Sequence, residues 1–165
     1  MPDLKQFLEL FNPLPGNHYI QVTTCTDETT DALYKLMQNA GGELRLALYT
    51  DTSIEDIQRR YPEAKTQQIR NFVHPFRALP RDNDLVILKD VFHLHQNKSV
   101  ILKTAYTTLS NATELIIMQE KGTMDIEAMK ELLEEYEFRS PNYIDVLENY
   151  DLITARKMHM WGNGL

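Results

Sequence analysis

Short, uninterrupted runs of apolar residues recur along this chain. Leu-Val-Ile-Leu occupies residues 85–88 and Leu-Ile-Ile-Met occupies residues 115–118. A run without alternating polar residues is typical of a strand that is covered on both faces. Strands of this kind occur in parallel sheets that carry helices on both sides, so these runs favour an α/β fold.

Amphipathic helical patterns lie between the predicted strands. The segment after residue 27 has an apolar face, a cap at Thr26 or Asp27, and a Gly41-Gly42 stop. A capping-box pattern at residues 52–55 opens another helix, which Pro62 ends. The predicted strands are residues 18–25, 44–49, 66–73, 84–89 and 114–118, and further helices follow Asn97 and Asp125.

The two ends of the chain depart from this alternation. Residues 1–16 predict a short helix and a turn, while residues 143–147 and 152–160 predict an antiparallel hairpin. No internal repeat or linker interrupts the pattern. We therefore predict one domain over residues 1–165: a three-layer α/β sandwich with a mostly parallel, Rossmann-like sheet and an antiparallel C-terminal hairpin.

Charge and cysteine content restrict the partners. Seventeen Lys and Arg against 24 Asp and Glu give a net charge of −7, which repels phosphate backbones and anionic lipid. We therefore expect neither nucleic acid nor a membrane as a partner. The single cysteine, Cys25, cannot form an internal disulfide, and the N-terminus lacks a signal-peptide pattern, so we expect a cytoplasmic protein.

Residues 78–95 read Ala-Leu-Pro-Arg-Asp-Asn-Asp-Leu-Val-Ile-Leu-Lys-Asp-Val-Phe-His-Leu-His. This stretch resembles the middle of class I S-adenosylmethionine-dependent methyltransferases, which often have Leu-Pro, a polar turn, and an apolar fourth strand led by Asp. The resemblance covers residues 71–161 in pattern. It implies S-adenosylmethionine as the cofactor and a small-molecule or protein methyl acceptor, whose identity the sequence leaves open.

The resemblance also implies the positions of the site residues. Asp51 follows the second strand, where the family binds the ribose hydroxyls. Lys89 and Asp90 stand where the family positions the methyl acceptor, so they are the candidate residues for substrate contact or proton removal. The other implied cofactor contacts follow the first and third strands: Thr24, Cys25, Thr26, His74 and Phe76.

Residues 23–28 depart from the family. Thr-Thr-Cys-Thr-Asp-Glu replaces the glycine-rich turn that lets the family's backbone approach the cofactor. Asp27 and Glu28 are expected to repel a ligand carboxylate there, and the acidic residue expected near His74 for the adenine contact is absent. The alternative function is therefore a non-catalytic binding or dimerisation module that has lost its cofactor. A nucleotide-binding or oxidoreductase domain ranks third, because it needs the same glycines.

Each candidate residue also has a simpler interpretation. Asp51 is suited to capping the next helix, and Lys89 with Asp90 to a surface ion pair. His93 and His95 are suited to ordinary loop hydrogen bonds, although with Asp90 they have the spacing of a weak metal site, and we assign no metal. Cys25 is either a buried apolar residue or a thiol at a helix start. The bulky residues 158–161, or the opening helix, are candidates for a homodimer contact.

Overall fold

A computed structural model describes residues 4–158. Its strands are β1 (His18–Thr23), β2 (Glu43–Tyr49), β3 (Lys65–Ile69), β4 (Asn83–Lys89), β5 (Leu109–Glu120), β6 (Phe138–Ile144) and β7 (Tyr150–Lys157). They form one seven-stranded sheet in the order β3-β2-β1-β4-β5-β7-β6. Neighbours from β3 to β5 pair in parallel, whereas β7 pairs antiparallel with both β5 and β6. The mostly parallel sheet with an antiparallel C-terminal hairpin is therefore confirmed.

Helices cover both faces of this sheet. They are α1 (Lys5–Leu8), α2 (Glu28–Ala40), α3 (Glu55–Arg60), α4 (Lys98–Thr108) and α5 (Ile126–Glu135). Val86 and Leu88 pack in the apolar cluster that includes α4 and α5, while Leu85 and Ile87 pack in the cluster that includes α1 and α2. The central strand β4 is thus buried on both faces, which explains its uninterrupted apolar run. None of the helices within residues 4–158 combines the length and apolar content needed to cross a bilayer.

The third strand is shorter than predicted. It ends at Ile69, because the Asn71 side chain accepts a hydrogen bond from the Val73 backbone and turns the chain. Phe72 then stacks on the ring of Tyr49 at 4.6 Å instead of extending the sheet. The β-forming residues over 70–73 therefore belong to a loop.

The C-terminal hairpin also differs from its prediction. Its first strand begins at Phe138 rather than residue 143, through a polar stretch in which the register shifts between Arg139 and Asn142. The irregular register removed the alternation that identifies a strand in sequence. Its second strand ends at Lys157, and residues 159 and 160, like most of the candidate dimer segment 158–161, lie outside the described residues.

The helix starts follow the predicted caps in two of three cases. Asp27 and Asn97 each accept a backbone hydrogen bond from the first turn of their helix. Asp125, predicted only as the start of a helix, caps α5 in the same way. The capping box at residues 52–55 is wrong: α3 has Ile54 at its N-cap, with no side-chain cap. The Asp27 cap therefore fixes the loop after β1, whereas the loop after β2 enters α3 without a side-chain cap.

The Gly41-Gly42 pair ends α2 for two different steric reasons. Gly41 has a left-handed backbone with φ of 76°. A Cβ on Gly42 would lie 2.9 Å from the backbone oxygen of Asn17 and 2.6 Å from Cε of Met37. That Asn17 oxygen accepts a hydrogen bond from the Glu43 backbone at the start of β2, so it has little freedom to move.

Gly42→Ala is therefore expected to destabilise the protein by about 2 to 3 kcal/mol, because the new methyl group overpacks against fixed backbone. Gly122→Ala is the control: Gly122 has φ of 85° and open space around its Cβ position, so it should cost only about 1 kcal/mol. Urea denaturation measures both. Equal losses for the two variants would contradict the tight packing at Gly42.

Candidate functional site

A cavity of about 770 Å³ opens at the carboxyl edge of the parallel strands. From β1 the chain builds the sheet toward β3, and from β4 it builds toward β5, so the strand order reverses between β1 and β4. Open α/β sheets bind ligands at such a reversal. The cavity wall includes Thr24 after β1, Asp90 after β4, Glu120 at the end of β5 and Tyr150 at the start of β7. The structure therefore places a cavity where this sheet topology favours a ligand.

The wall of this cavity is acidic. Asp27, Glu28, Asp90 and Glu120 contribute four carboxylates, and Lys121 contributes a cation. The Lys121 ammonium lies 2.8 Å from the Asp145 carboxylate, so most of its charge is already balanced. A positively charged group is favoured over a negatively charged one in this cavity.

Lys89 lies buried behind the acidic wall. This last residue of β4 is only 1% exposed, and its Nζ is 2.9 Å from Oδ2 of Asp27 and 3.5 Å from Oδ2 of Asp90. The same ammonium stands over the Tyr150 ring at 5.2 Å from its centroid. The structure thus brings Lys89 and Asp90 together at the reversal point, but in a buried cluster rather than in the surface ion pair considered as the alternative.

Asp27 fixes the turn between β1 and α2. Its carboxylate accepts a hydrogen bond from the Thr29 backbone at 2.9 Å, and its own backbone N–H donates to the Thr30 hydroxyl at 3.2 Å. The buried amide of Gln21 donates to the Thr29 hydroxyl and accepts from the Thr30 hydroxyl. Side-chain hydrogen bonds therefore hold this turn in place of the glycines expected from the family resemblance.

Asp27 and Lys89 are both charged at neutral pH. Burial alone raises the pKa of Asp27, but hydrogen bonds from Thr29 and Lys89 bring it below its usual value. Burial alone lowers the pKa of Lys89, but the hydrogen bond and the charge of Asp27 raise it above its usual value. The pair therefore contributes an internal cation and anion at the centre of the site.

Asp90 and Tyr150 form the second polar contact of the cavity wall. Asp90 has a left-handed backbone with φ of 58°, and its Oδ2 accepts a hydrogen bond from the Tyr150 hydroxyl at 2.8 Å. Burial, followed by the hydrogen bond to Asp90, raises the pKa of Tyr150 to about 12, so the phenol stays protonated. Sequence reasoning missed Tyr150, although the start of an antiparallel strand beside β5 necessarily lies at the carboxyl edge.

The residues proposed for the cofactor are spread along the edge. Thr24 lines the cavity, whereas Cys25 is exposed and Thr26 is half-buried beside it. Asp51 is exposed just beyond β2, and its carboxylate binds no other side chain within residues 4–158. It does not cap α3, so the simpler interpretation of Asp51 does not hold.

The two predicted cofactor contacts after β3, His74 and Phe76, are both fixed by contacts with the protein core. The His74 side chain is exposed, and its carbonyl accepts hydrogen bonds from the Tyr49 hydroxyl and from Nε2 of His95. Phe76 is 1% exposed and packs in the apolar core, so its ring has no face open to a ligand. The proposed Phe76 contact is therefore not available in this arrangement.

The histidine pair does not converge on a metal. His95 is buried, with Nδ1 2.9 Å from the Asn97 carbonyl and Nε2 3.2 Å from the His74 carbonyl. His93 is exposed on the cavity wall. Within the described part of the chain, no three His, Cys, Asp or Glu side chains come together as a ligand set.

Several solved structures similar to this chain are methyltransferases. A methyltransferase from Aquifex aeolicus, described as dependent on S-adenosylmethionine, superposes with a TM-score of 0.75 at 14% identity, covering 94% of this chain and 89% of that one. The CurJ carbon methyltransferase gives a TM-score of 0.73 at 15% identity, covering 94% of this chain and 52% of its own. The Haemonchus contortus phosphoethanolamine N-methyltransferase 2, solved with S-adenosyl-L-methionine, gives 0.68 at 10% identity, covering 94% and 52%.

These similarities establish a class I methyltransferase-like fold for the chain. No protein-family model matches the sequence, and no curated protein matches it either. At 10 to 15% identity, the fold is retained while most side chains differ. Function therefore has to be argued from the site itself.

Asp27→Ala is expected to destabilise the protein by about 3 kcal/mol, because it removes a helix cap and leaves the buried Lys89 ammonium without its closest carboxylate. Asp125→Ala is the matched control, since Asp125 caps α5 without a lysine partner and should cost about 1 kcal/mol. Chemical denaturation of the two variants gives the comparison. A loss at Asp27 no larger than at Asp125 would show that the ion pair adds nothing.

The stabilisation by this pair should also depend on pH in a defined way. Because the pKa of Asp27 is lowered on folding, its contribution is present above about pH 4 and is lost as the pH falls through the folded pKa. Because the pKa of Lys89 is raised, its contribution is complete below about pH 10 and declines as the pH rises further. The stability difference between wild type and Lys89→Met, measured by urea denaturation, should be constant from pH 5 to 9 and smaller at pH 3. A difference that grows at pH 3 would contradict the charged pair.

Proposed function

We propose that this chain is a methyltransferase-like protein that binds S-adenosylmethionine at the carboxyl edge of its sheet and presents the 770 Å³ cavity to a small-molecule or protein methyl acceptor. The observation that carries this proposal is the cavity at the reversal between β1 and β4, in a fold shared with methyltransferases. The single cysteine and the net charge of −7 support action in the cytoplasm on a partner other than nucleic acid.

The residues of the edge fit two parts of this cofactor. The unpaired carboxylate of Asp51 suits the ribose hydroxyls, and the carboxylate of Asp27 suits the α-ammonium of the methionine portion. The cofactor's own carboxylate has fewer hydrogen-bond donors available, because the backbone N–H of Thr29, in the first turn of α2, already donates to Asp27. The fit of the ammonium also requires Asp27 to share or release its contact with Lys89.

Asp90 and Tyr150 are the groups best placed to meet an acceptor. When bound, the cofactor supplies an electrophilic methyl group, so the reaction requires alignment more than a nucleophile from the protein. The Asp90 carboxylate lies on the cavity wall and is suited to accept a proton from the acceptor. The Tyr150 hydroxyl, 2.8 Å from Asp90, orients that carboxylate. Lys89 holds Asp90 from behind and contributes to position rather than contact.

A second candidate function is a binding or dimerisation module without catalysis. The specific observation in its favour is the β1–α2 turn. Thr and Asp side chains replace glycine there, and the Asp27 carboxylate is already paired with the Lys89 ammonium. An internal ion pair thus occupies the carboxylate that the cofactor's ammonium needs. The two candidates differ in one measurable property, which is affinity for the cofactor.

Isothermal titration calorimetry with S-adenosylmethionine and S-adenosylhomocysteine separates them. We expect the wild-type chain to bind both ligands, and Asp51→Asn to weaken binding about tenfold, because it removes a charged acceptor for the ribose hydroxyls. Asp56→Asn is the control, since Asp56 is another exposed acid, lies on α3 and pairs with Arg59. It should leave the affinity unchanged.

Absence of heat at millimolar ligand would overturn the cofactor proposal and favour the non-catalytic module. If Asp51→Asn and Asp56→Asn change the affinity equally, the cofactor binds without a contact to Asp51.

A further inference from the structure

We infer that Lys89 is an internal competitor for the carboxylate that receives the ligand's ammonium, and that it thereby sets the cofactor affinity of this site. The inference rests on the proposed function. It starts from an asymmetry in burial: the Lys89 side chain is 1% exposed, whereas that of Asp27 is 20% exposed on the cavity wall. A ligand therefore meets Asp27 from the open side while Lys89 holds it from the closed side.

The surroundings of Lys89 resemble a site for an ammonium ion. Two carboxylates, those of Asp27 and Asp90, lie 2.9 and 3.5 Å from Nζ, and the Tyr150 ring faces it. Carboxylates and an aromatic face together favour a desolvated ammonium. The Lys89 ammonium occupies this site, so an external ammonium must share or replace its contact with Asp27.

Asp90 gives Lys89 a second position. Since its Oδ2 is already 3.5 Å from Nζ, a small change in the lysine side chain transfers the closest contact from Asp27 to Asp90. The ammonium then remains paired, which avoids the large cost of an isolated buried charge. Asp27 keeps its bond to the Thr29 backbone and becomes free to accept the ligand.

The size of the competition follows from distance. Two ammonium groups that contact opposite sides of the Asp27 carboxylate lie roughly 6 Å apart. With an effective dielectric constant between about 80 in water and about 20 near a protein surface, their repulsion lowers affinity between about threefold and about 100-fold, so we expect about tenfold for this half-open site. The penalty applies only to a ligand that carries the ammonium. A ligand that shares the nucleoside and sulfur but lacks the amino-acid portion escapes it.

Calorimetry with two probes tests this inference. S-adenosylhomocysteine carries the ammonium, and 5′-methylthioadenosine lacks it. Lys89→Met should bind S-adenosylhomocysteine about tenfold more tightly than wild type does, with the affinity for 5′-methylthioadenosine changed by less than about twofold. Lys121→Met is the matched control, since it also removes one positive charge, here from the cavity wall, but leaves Asp27 paired with Lys89. Its affinity for S-adenosylhomocysteine should rise by less than about threefold.

Every result of this experiment is decisive. Equal or weaker binding of S-adenosylhomocysteine by Lys89→Met overturns the competition, and so does an equal gain for 5′-methylthioadenosine. Binding by Lys89→Met but not by wild type supports the competition and overturns cofactor use by the native chain. Binding by neither protein overturns both. If Lys89→Met does not fold, Lys89→Gln, which keeps a neutral donor near Asp27, should show a gain of about threefold under the same criteria.

Discussion

The ion pair between Asp27 and Lys89 joins the parts of the molecule that meet at the candidate site. Asp27 belongs to the turn that connects β1 to α2, and Lys89 is the last residue of β4, the strand beside β1. An ammonium that is 1% exposed requires a carboxylate partner, because an unpaired buried charge is strongly destabilising. Lys89 and the hydrogen bonds to Thr29 and Thr30 therefore fix the position of Asp27 together, and with it the start of α2.

This constraint explains how the fold persists with so few residues in common. In a glycine-rich turn, backbone amides remain free to bind a ligand, and the turn is shaped by the absence of side chains. Here the side chains of Asp27, Thr29 and Thr30 satisfy those amides, and Gln21 fixes the two threonines from the sheet. The chain retains the strand order of the fold, but an internal ion pair lies in its β1–α2 turn. Under the proposed competition, affinity is a balance between Lys89 and the ligand for the same carboxylate.

Sequence patterns predicted the fold where a local rule and the tertiary structure agree. The apolar run at residues 85–88 is buried on both faces, and the predicted caps Asp27 and Asn97 each bond their first helical turn. The patterns failed where long-range packing decides the backbone. Stacking on Tyr49 takes Phe72 out of the third strand, and the register shift after Arg139 hides the start of β6.

The candidate site was less predictable than the fold. Lys89 and Asp90 could be proposed from the family resemblance, but only the structure shows that Asp27 and Tyr150, distant in sequence, complete their cluster. The pairing of β7 beside β5 brings Tyr150 to this edge, and strand order is not encoded in any local pattern. Phe76 failed for a related reason, because the loop after β3 folds back and buries its ring in the core.

A crystal structure of the chain grown with S-adenosylhomocysteine records the ligand and Lys89 together and so tests whether they compete for Asp27. Competition predicts ligand density along the carboxyl edge between Asp51 and Asp27, with Nζ of Lys89 closer to Asp90 than to Asp27. Ligand at another surface, or a ligand at this edge whose ammonium leaves the Asp27 contact to Lys89 undisturbed, would contradict it.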